Sequence, residues 1–87
     1  MAQQQLHNND INDWFKYAGS LDRDGLEEEA CVAYERVKNL NITNLQEKDR
    51  PRFYLQYGST LRNLGQYERS YSVLKEGCEY YTDYSAL

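Results

Sequence analysis

Apolar side chains in this 87-residue chain recur at helical spacing in four separate stretches. Ile11, Trp14, Phe15, Ala18 and Leu21 stand at i, i+3, i+4, i+7 and i+10, which is one face of a helix. Ala30, Ala33, Tyr34 and Val37 mark a second face, and Tyr54, Tyr57, Gly58, Leu61 and Leu64 a third. Ser70, Tyr71, Val73, Leu74, Gly77 and Tyr81 mark a fourth. The pattern predicts helices near 11–22, 26–39, 49–63 and 67–81, and no sheet.

The residues between these faces carry start and stop chemistry. Asp10 is placed to cap the first helix. Asp22-Arg23-Asp24-Gly25 reads as a turn whose glycine can take positive φ, and Gly65 breaks the pattern in the same way further on. Glu27, Glu28 and Glu29 fall in the first turn of the second helix, where the helix dipole favours anions. Asp24 and Glu27 have the spacing of a capping box. Pro51 fits the first turn of the third helix, where its missing N–H costs nothing. Asn41-Ile42-Thr43-Asn44 has turn chemistry and links the two halves.

The halves repeat. At a shift of 40, Trp14 meets Tyr54, Tyr17 meets Tyr57, Ala18 meets Gly58 and Leu21 meets Leu61. Gly25 meets Gly65, Glu28 meets Glu68, Ala30 meets Ser70 and Tyr34 meets Leu74. Size-matched residues at one fixed offset mark a repeat architecture. The small residues at 18, 30, 58 and 70 are expected to be the points of close helix approach, with Trp14, Tyr17, Tyr54 and Tyr57 filling the space around them.

These residues resemble the tetratricopeptide-repeat (TPR) motif, W-x2-L-G-x2-Y followed by A-x3-F and a late proline. With frames set at Ile11 and Pro51, Trp14 and Tyr54 take the Trp place, Tyr17 and Tyr57 the Leu place, and Ala18 and Gly58 the Gly place. Leu21 and Leu61 stand for the Tyr, Ala30 and Ser70 for the Ala, and Tyr34 and Leu74 for the Phe. The stretch from Gly58 to Tyr67 resembles short bacterial TPR proteins of unassigned function. Ile42 and Thr82 stand where the late proline would fall, and the period of 40 exceeds the usual 34, so extra residues lie near 41–50. The resemblance implies an all-α fold of two helix-turn-helix repeats, residues 11–44 and 51–84, forming a short right-handed solenoid. The expected organisation is a polar tail over 1–10 and a single domain over 11–87.

Composition narrows the function. Net charge is -4, which argues against nucleic-acid binding, since that needs a basic face. No apolar run reaches the roughly 18–20 residues that span a membrane. The opening Met1–Asn9 stretch is polar and has no apolar leader core, so a cytoplasmic protein is expected.

Candidate chemistry is sparse. His7 is the one histidine, and with Cys31 and Cys78 it forms no metal-ligand spacing. The cysteines read as small hydrophobes within helical patterns. No phosphate loop and no nucleophile-base pairing appear. No enzyme and no cofactor are expected. Tyr80, Tyr81 and Tyr84 form an aromatic cluster that either packs at the end of the stack or meets a partner.

In TPR proteins the first helix of each repeat lines a concave groove that binds a partner peptide or protein. By resemblance the groove positions are Asn12, Phe15, Lys16, Gly19, Asp22 and Arg23 in repeat one. In repeat two they are Arg52, Leu55, Gln56, Ser59, Arg62 and Asn63. Residues 11–23 carry two acids and two bases and residues 47–63 two acids and four bases, whereas 24–40 sums to -3. A neutral-to-positive groove suits a peptide with acidic and apolar residues. Phe15 and Gly19 stand where the chaperone-binding members carry Lys and Asn, so that activity is not expected. The alternative is a self-associating structural module, a homodimer through the C-terminal helix region, or a piece of a longer array. Two repeats are fewer than the three that usually make a stable stack, and Tyr84-Ser85-Ala86-Leu87 resembles the opening of a third.

Overall fold

A computed structural model describes residues 10–80 of the chain. Among them are four α-helices and no strand: α1 (Ile11–Arg23), α2 (Glu27–Asn39), α3 (Arg50–Asn63) and α4 (Tyr67–Tyr80). His7, Tyr81 and Tyr84 lie outside the described residues.

The capping chemistry explains most of these boundaries. Asp10 Oδ1 accepts from the N–H groups of Asn12 at 3.0 Å and Asp13 at 3.4 Å, satisfying donors that have no partner within the helix. Gly25 and Gly65 both take φ +82°, a conformation that side chains resist. Around them the two turns match bond for bond: Gly25 N–H donates to Asp22 O at 3.0 Å and Gly65 N–H to Arg62 O at 2.9 Å. The Asp24–Glu27 capping box does not form. Gly25 reverses the chain after Asp24, so the cap of α2 falls at Leu26, which offers no side-chain acceptor, and Asp24 instead terminates α1. Three acids in the first turn of α2 remain to offset the dipole there.

The segment between the repeats is ordered as two 3₁₀ turns, Ile42–Asn44 and Glu47–Asp49. Asn41 takes φ +77°, and its side-chain oxygen accepts from Thr43 N at 3.2 Å and Thr43 Oγ1 at 2.7 Å. Arg50 then reaches back to donate to Thr43 O and Leu45 O, at 2.8 and 3.0 Å. Leu45 is buried beneath this clasp. Pro51 occupies the first turn of α3.

Helices α1 and α2 form one antiparallel hairpin, α3 and α4 the next, and α2 packs on α3 to join them into a short helical-repeat solenoid. Phe53 is the centre of the core. It is fully buried, and its ring lies 5.1 to 6.4 Å from those of Tyr54, Tyr57, Tyr34 and Phe15. Ala18, Ala30, Gly58 and Ser70 are buried at the hairpin contacts as their size suggests. Ser70 Oγ donates to Gly58 O at 2.7 Å, so the one polar member of that set is satisfied.

Tyr54 and Tyr57 are buried as the repeat pattern requires, but their partners in the first repeat are not: Trp14 is half-buried and Tyr17 is 37% exposed. Tyr71, read as part of the packed face of α4, is 67% exposed.

Candidate interaction surface

Helices α1 and α3, the first helix of each repeat, lie side by side and present a common face. Polar groups along it join α1 to α3 through Asp22 and Thr60, α1 to the inter-repeat segment through Asn12, and α2 to α3 through Gln56. Asn12 Oδ1 accepts from Gln46 N–H at 3.2 Å, and Asp22 Oδ2 accepts from the Thr60 hydroxyl at 3.3 Å. Gln56 Oε1 accepts from the Tyr34 hydroxyl at 3.1 Å. A Cβ on Gly19 would lie 3.9 Å from the same Gln56 oxygen, an ordinary contact, so a side chain as small as alanine would fit there. Asn63 donates to Glu27 at 3.2 Å, joining α3 to α2.

Phe15 does not point outward as a groove position would. It is buried between Tyr34 and Phe53, with ring centroids 6.4 Å away in both cases. Its spacing from Ile11 and Ala18 places it on the apolar face, and that face won over the position implied by the family motif.

Between the helices lies an open depression of about 490 Å³ lined by Phe15, Lys16, Arg23, Gln46, Lys48, Asp49, Arg52 and Gln56. Lys16 and Arg23 come from α1, Lys48 from the second 3₁₀ turn and Arg52 from α3. The one acid, Asp49, pairs with Arg52 at 3.7 Å. Among the described residues Lys16, Arg23 and Lys48 form no ion pair. Four cations therefore face one acid across an exposed basin. Leu55, Ser59, Arg62 and Asn63 line no part of it, and Arg62 lies about 15 Å further along α3 at 1.5 Å per residue. Sequence reasoning missed Gln46, Lys48 and Asp49, which it treated as linker. The 3₁₀ turn that raises them beside α3 is set by Arg50 and Leu45, and no helical period signals it.

A second cleft, of about 430 Å³, runs between α2 and α4. Its charges are balanced and largely paired. Arg69 binds Glu35 and donates to the Tyr57 hydroxyl at 2.9 Å, and Lys38 pairs with Glu76 at 3.3 Å. Burial pushes the Tyr57 hydroxyl up to about 12 against the opposing field of Arg69. Burial likewise raises the Cys31 thiol, with Glu35 adding to it. That is the reverse of what a reactive thiolate needs. The cleft reads as a cross-repeat brace rather than a site. Among the described residues no group of three or more His, Cys, Asp or Glu is placed to hold a metal ion.

Paired antiparallel helix hairpins repeated at one fixed offset, with a shared face of first helices, define a helical-repeat protein. The family profile described as tetratrico peptide repeat matches residues 12–85. The chain belongs to that family, whose repeats generally mediate protein–protein interaction. Searches of curated proteins and of solved structures return no match. No helix among the described residues is long and apolar enough to cross a membrane.

Proposed function

We propose that this protein is a non-catalytic adaptor that binds an acidic segment of a partner protein in the basin between α1 and α3. The observation that carries the reading is the excess of cations there: Lys16, Arg23, Lys48 and Arg52 against Asp49 alone, in a chain whose net charge is -4. A surface that gathers uncompensated positive charge on an acidic protein attracts anionic ligands and repels cationic ones. The half-buried Leu55 on the same helix offers a contact for an apolar residue flanking the acids.

The experiment is fluorescence anisotropy with a labelled peptide of Asp and Glu around a central Leu, and with its Lys-substituted counterpart. The acidic peptide should bind, with affinity falling as salt rises, and the basic one should not. Equal binding of both peptides, or binding unchanged by Lys16→Glu and Arg52→Glu together, would sink the reading.

A further inference from the structure

The offset of 40 relates surfaces as well as cores. In the second repeat Tyr54, Tyr57 and Leu61 of α3 are buried at 3%, 2% and 0%, with the Tyr57 ring tilted against that of Tyr34 of α2 at 5.7 Å between centroids. Their counterparts in the first repeat are Trp14, Tyr17 and Leu21, and all three are partly open to solvent. Among the described residues nothing corresponding to α2 precedes α1. The other end shows the converse. Cys31 and Tyr34 of α2 are buried at 7% and 0%, while their counterparts on α4 are Tyr71, 67% exposed, and Leu74, half-buried. Among the described residues the chain thus holds one closed junction, α2 on α3, and presents the counterparts of its two halves, each partly open to solvent, at opposite ends.

The ion pair that braces the closed junction allows a check on whether the open halves fit each other. Within the chain Glu35 of α2 pairs with Arg69 of α4. Shifted by 40, Glu35 becomes Lys75, and shifted back, Arg69 becomes Glu29. Both signs have inverted, so the pair is again attractive. Lys75 and Glu29 are both exposed, and neither forms an ion pair among the described residues.

We infer that a second copy of this chain docks head to tail, the α4 face of one copy covering the α1 face of the next, with Tyr71 seated against Tyr17 and Lys75 paired with Glu29. The contact continues the junction already present between α2 and α3 and buries large aromatic area at both ends. It is heterologous and does not close on itself, so assembly grows beyond two copies with concentration.

Sedimentation equilibrium on the full chain, from about 1 to 500 μM, tests this. The wild type should show average mass rising past that of a dimer. Tyr71→Glu disables the tail and Tyr17→Glu the head, and each variant alone should stay at 10.3 kDa. Mixed one to one they should form a single dimer and stop, because each supplies the surface the other lacks. Lys75→Glu and Glu29→Lys should each weaken association about fivefold, on the scale of one exposed ion pair reversed, and the double exchange should restore it. Since all four positions are exposed or partly so, circular dichroism should be unchanged in every variant. A wild type that remains monomeric at 500 μM overturns the proposal, as it would if the chain's own terminal residues covered these faces. A wild type that saturates at a dimer overturns it in favour of a two-fold contact, and so does a mixture of the two tyrosine variants that stays monomeric.

Discussion

Gly77 of α4 lies directly against Tyr54 of α3: a Cβ built on the glycine would sit 2.6 Å from Tyr54 Cβ and 3.0 Å from its Cγ. Those atoms are tied to the α3 backbone and cannot swing aside. A second glycine, Gly58 of α3, would put its Cβ 2.6 Å from Cδ2 and Cγ of Leu74, a half-buried side chain with freedom to rotate. Alanine in a helix interior is worth up to about 1 kcal/mol over glycine, which offsets part of either clash. Gly77→Ala should therefore destabilise by about 1–3 kcal/mol net, whereas Gly58→Ala should fall within about 1 kcal/mol of the wild type. Urea unfolding of the two variants side by side decides it, and equal losses would mean that α3 and α4 can slide apart.

Phe53 should be the most sensitive aromatic position. It is fully buried and touches four other rings, so Phe53→Ala removes a large side chain from a site with little room to collapse. A loss of about 3–5 kcal/mol is expected. Trp14 is half-buried, with the Arg36 guanidinium 5.5 Å from its ring centre. Trp14→Ala should cost less, about 1–3 kcal/mol. A larger loss at Trp14 than at Phe53 would place the core in the wrong repeat.

The basin makes its own demand on mutagenesis. Lys16→Glu and Arg52→Glu should each weaken an acidic peptide about three- to tenfold, the effect of turning one exposed attraction into a repulsion. Stability should change by no more than about 0.5 kcal/mol for Lys16→Glu, and slightly more for Arg52→Glu, which also loses its contact with Asp49. Arg62 lies about 15 Å further along α3, the reach of roughly five extended residues. Arg62→Glu should therefore weaken only peptides long enough to run past the basin. A titration with acidic peptides of increasing length separates the cases.

Local signals carried the helices and their order because each had a chemical cause in the chain. Asp10 caps, Gly25 and Gly65 reverse, Pro51 begins, and the apolar faces repeat at one offset. Phe53 escaped the pattern: it sits one residue before the motif's Trp place, where nothing in the repeat asks for an apolar side chain, and only the stacking of α2 onto α3 makes that position interior. Tyr17 and Tyr71 failed in the opposite sense. Their spacing is that of packed residues, but burial depends on a neighbouring helix, and the described chain supplies that neighbour for one repeat junction only. Lys48 was hidden because a 3₁₀ turn has no amphipathic period to read. The basin's α1 and α3 members, Phe15 among them, were reached through the family motif, although Phe15 is buried rather than outward-facing.

Alkaline pH should unfold this protein through its buried tyrosines. Burial raises the Tyr57 hydroxyl from its ordinary 10 to about 12, and burial raises that of Tyr34 further, with Asp22 adding and Arg23 opposing. Both groups are neutral in folded and unfolded chains at neutral pH, so neither contributes a pH dependence there. Above pH 10 the unfolded chain loses these protons while the folded one keeps them. The unfolded state then binds fewer protons, and stability falls as pH rises. The fall should span pH 10 to about 12 for Tyr57, at up to about 1.4 kcal/mol per unit, and continue beyond for Tyr34. Tyr57→Phe removes one of the two ionisations, at the cost of the hydrogen bond from Arg69. Thermal midpoints measured from pH 9 to 12 should therefore drop more gently for Tyr57→Phe than for the wild type, whatever their difference at pH 9. Parallel curves would mean that water reaches the Tyr57 hydroxyl and that the cleft between α2 and α4 opens in solution.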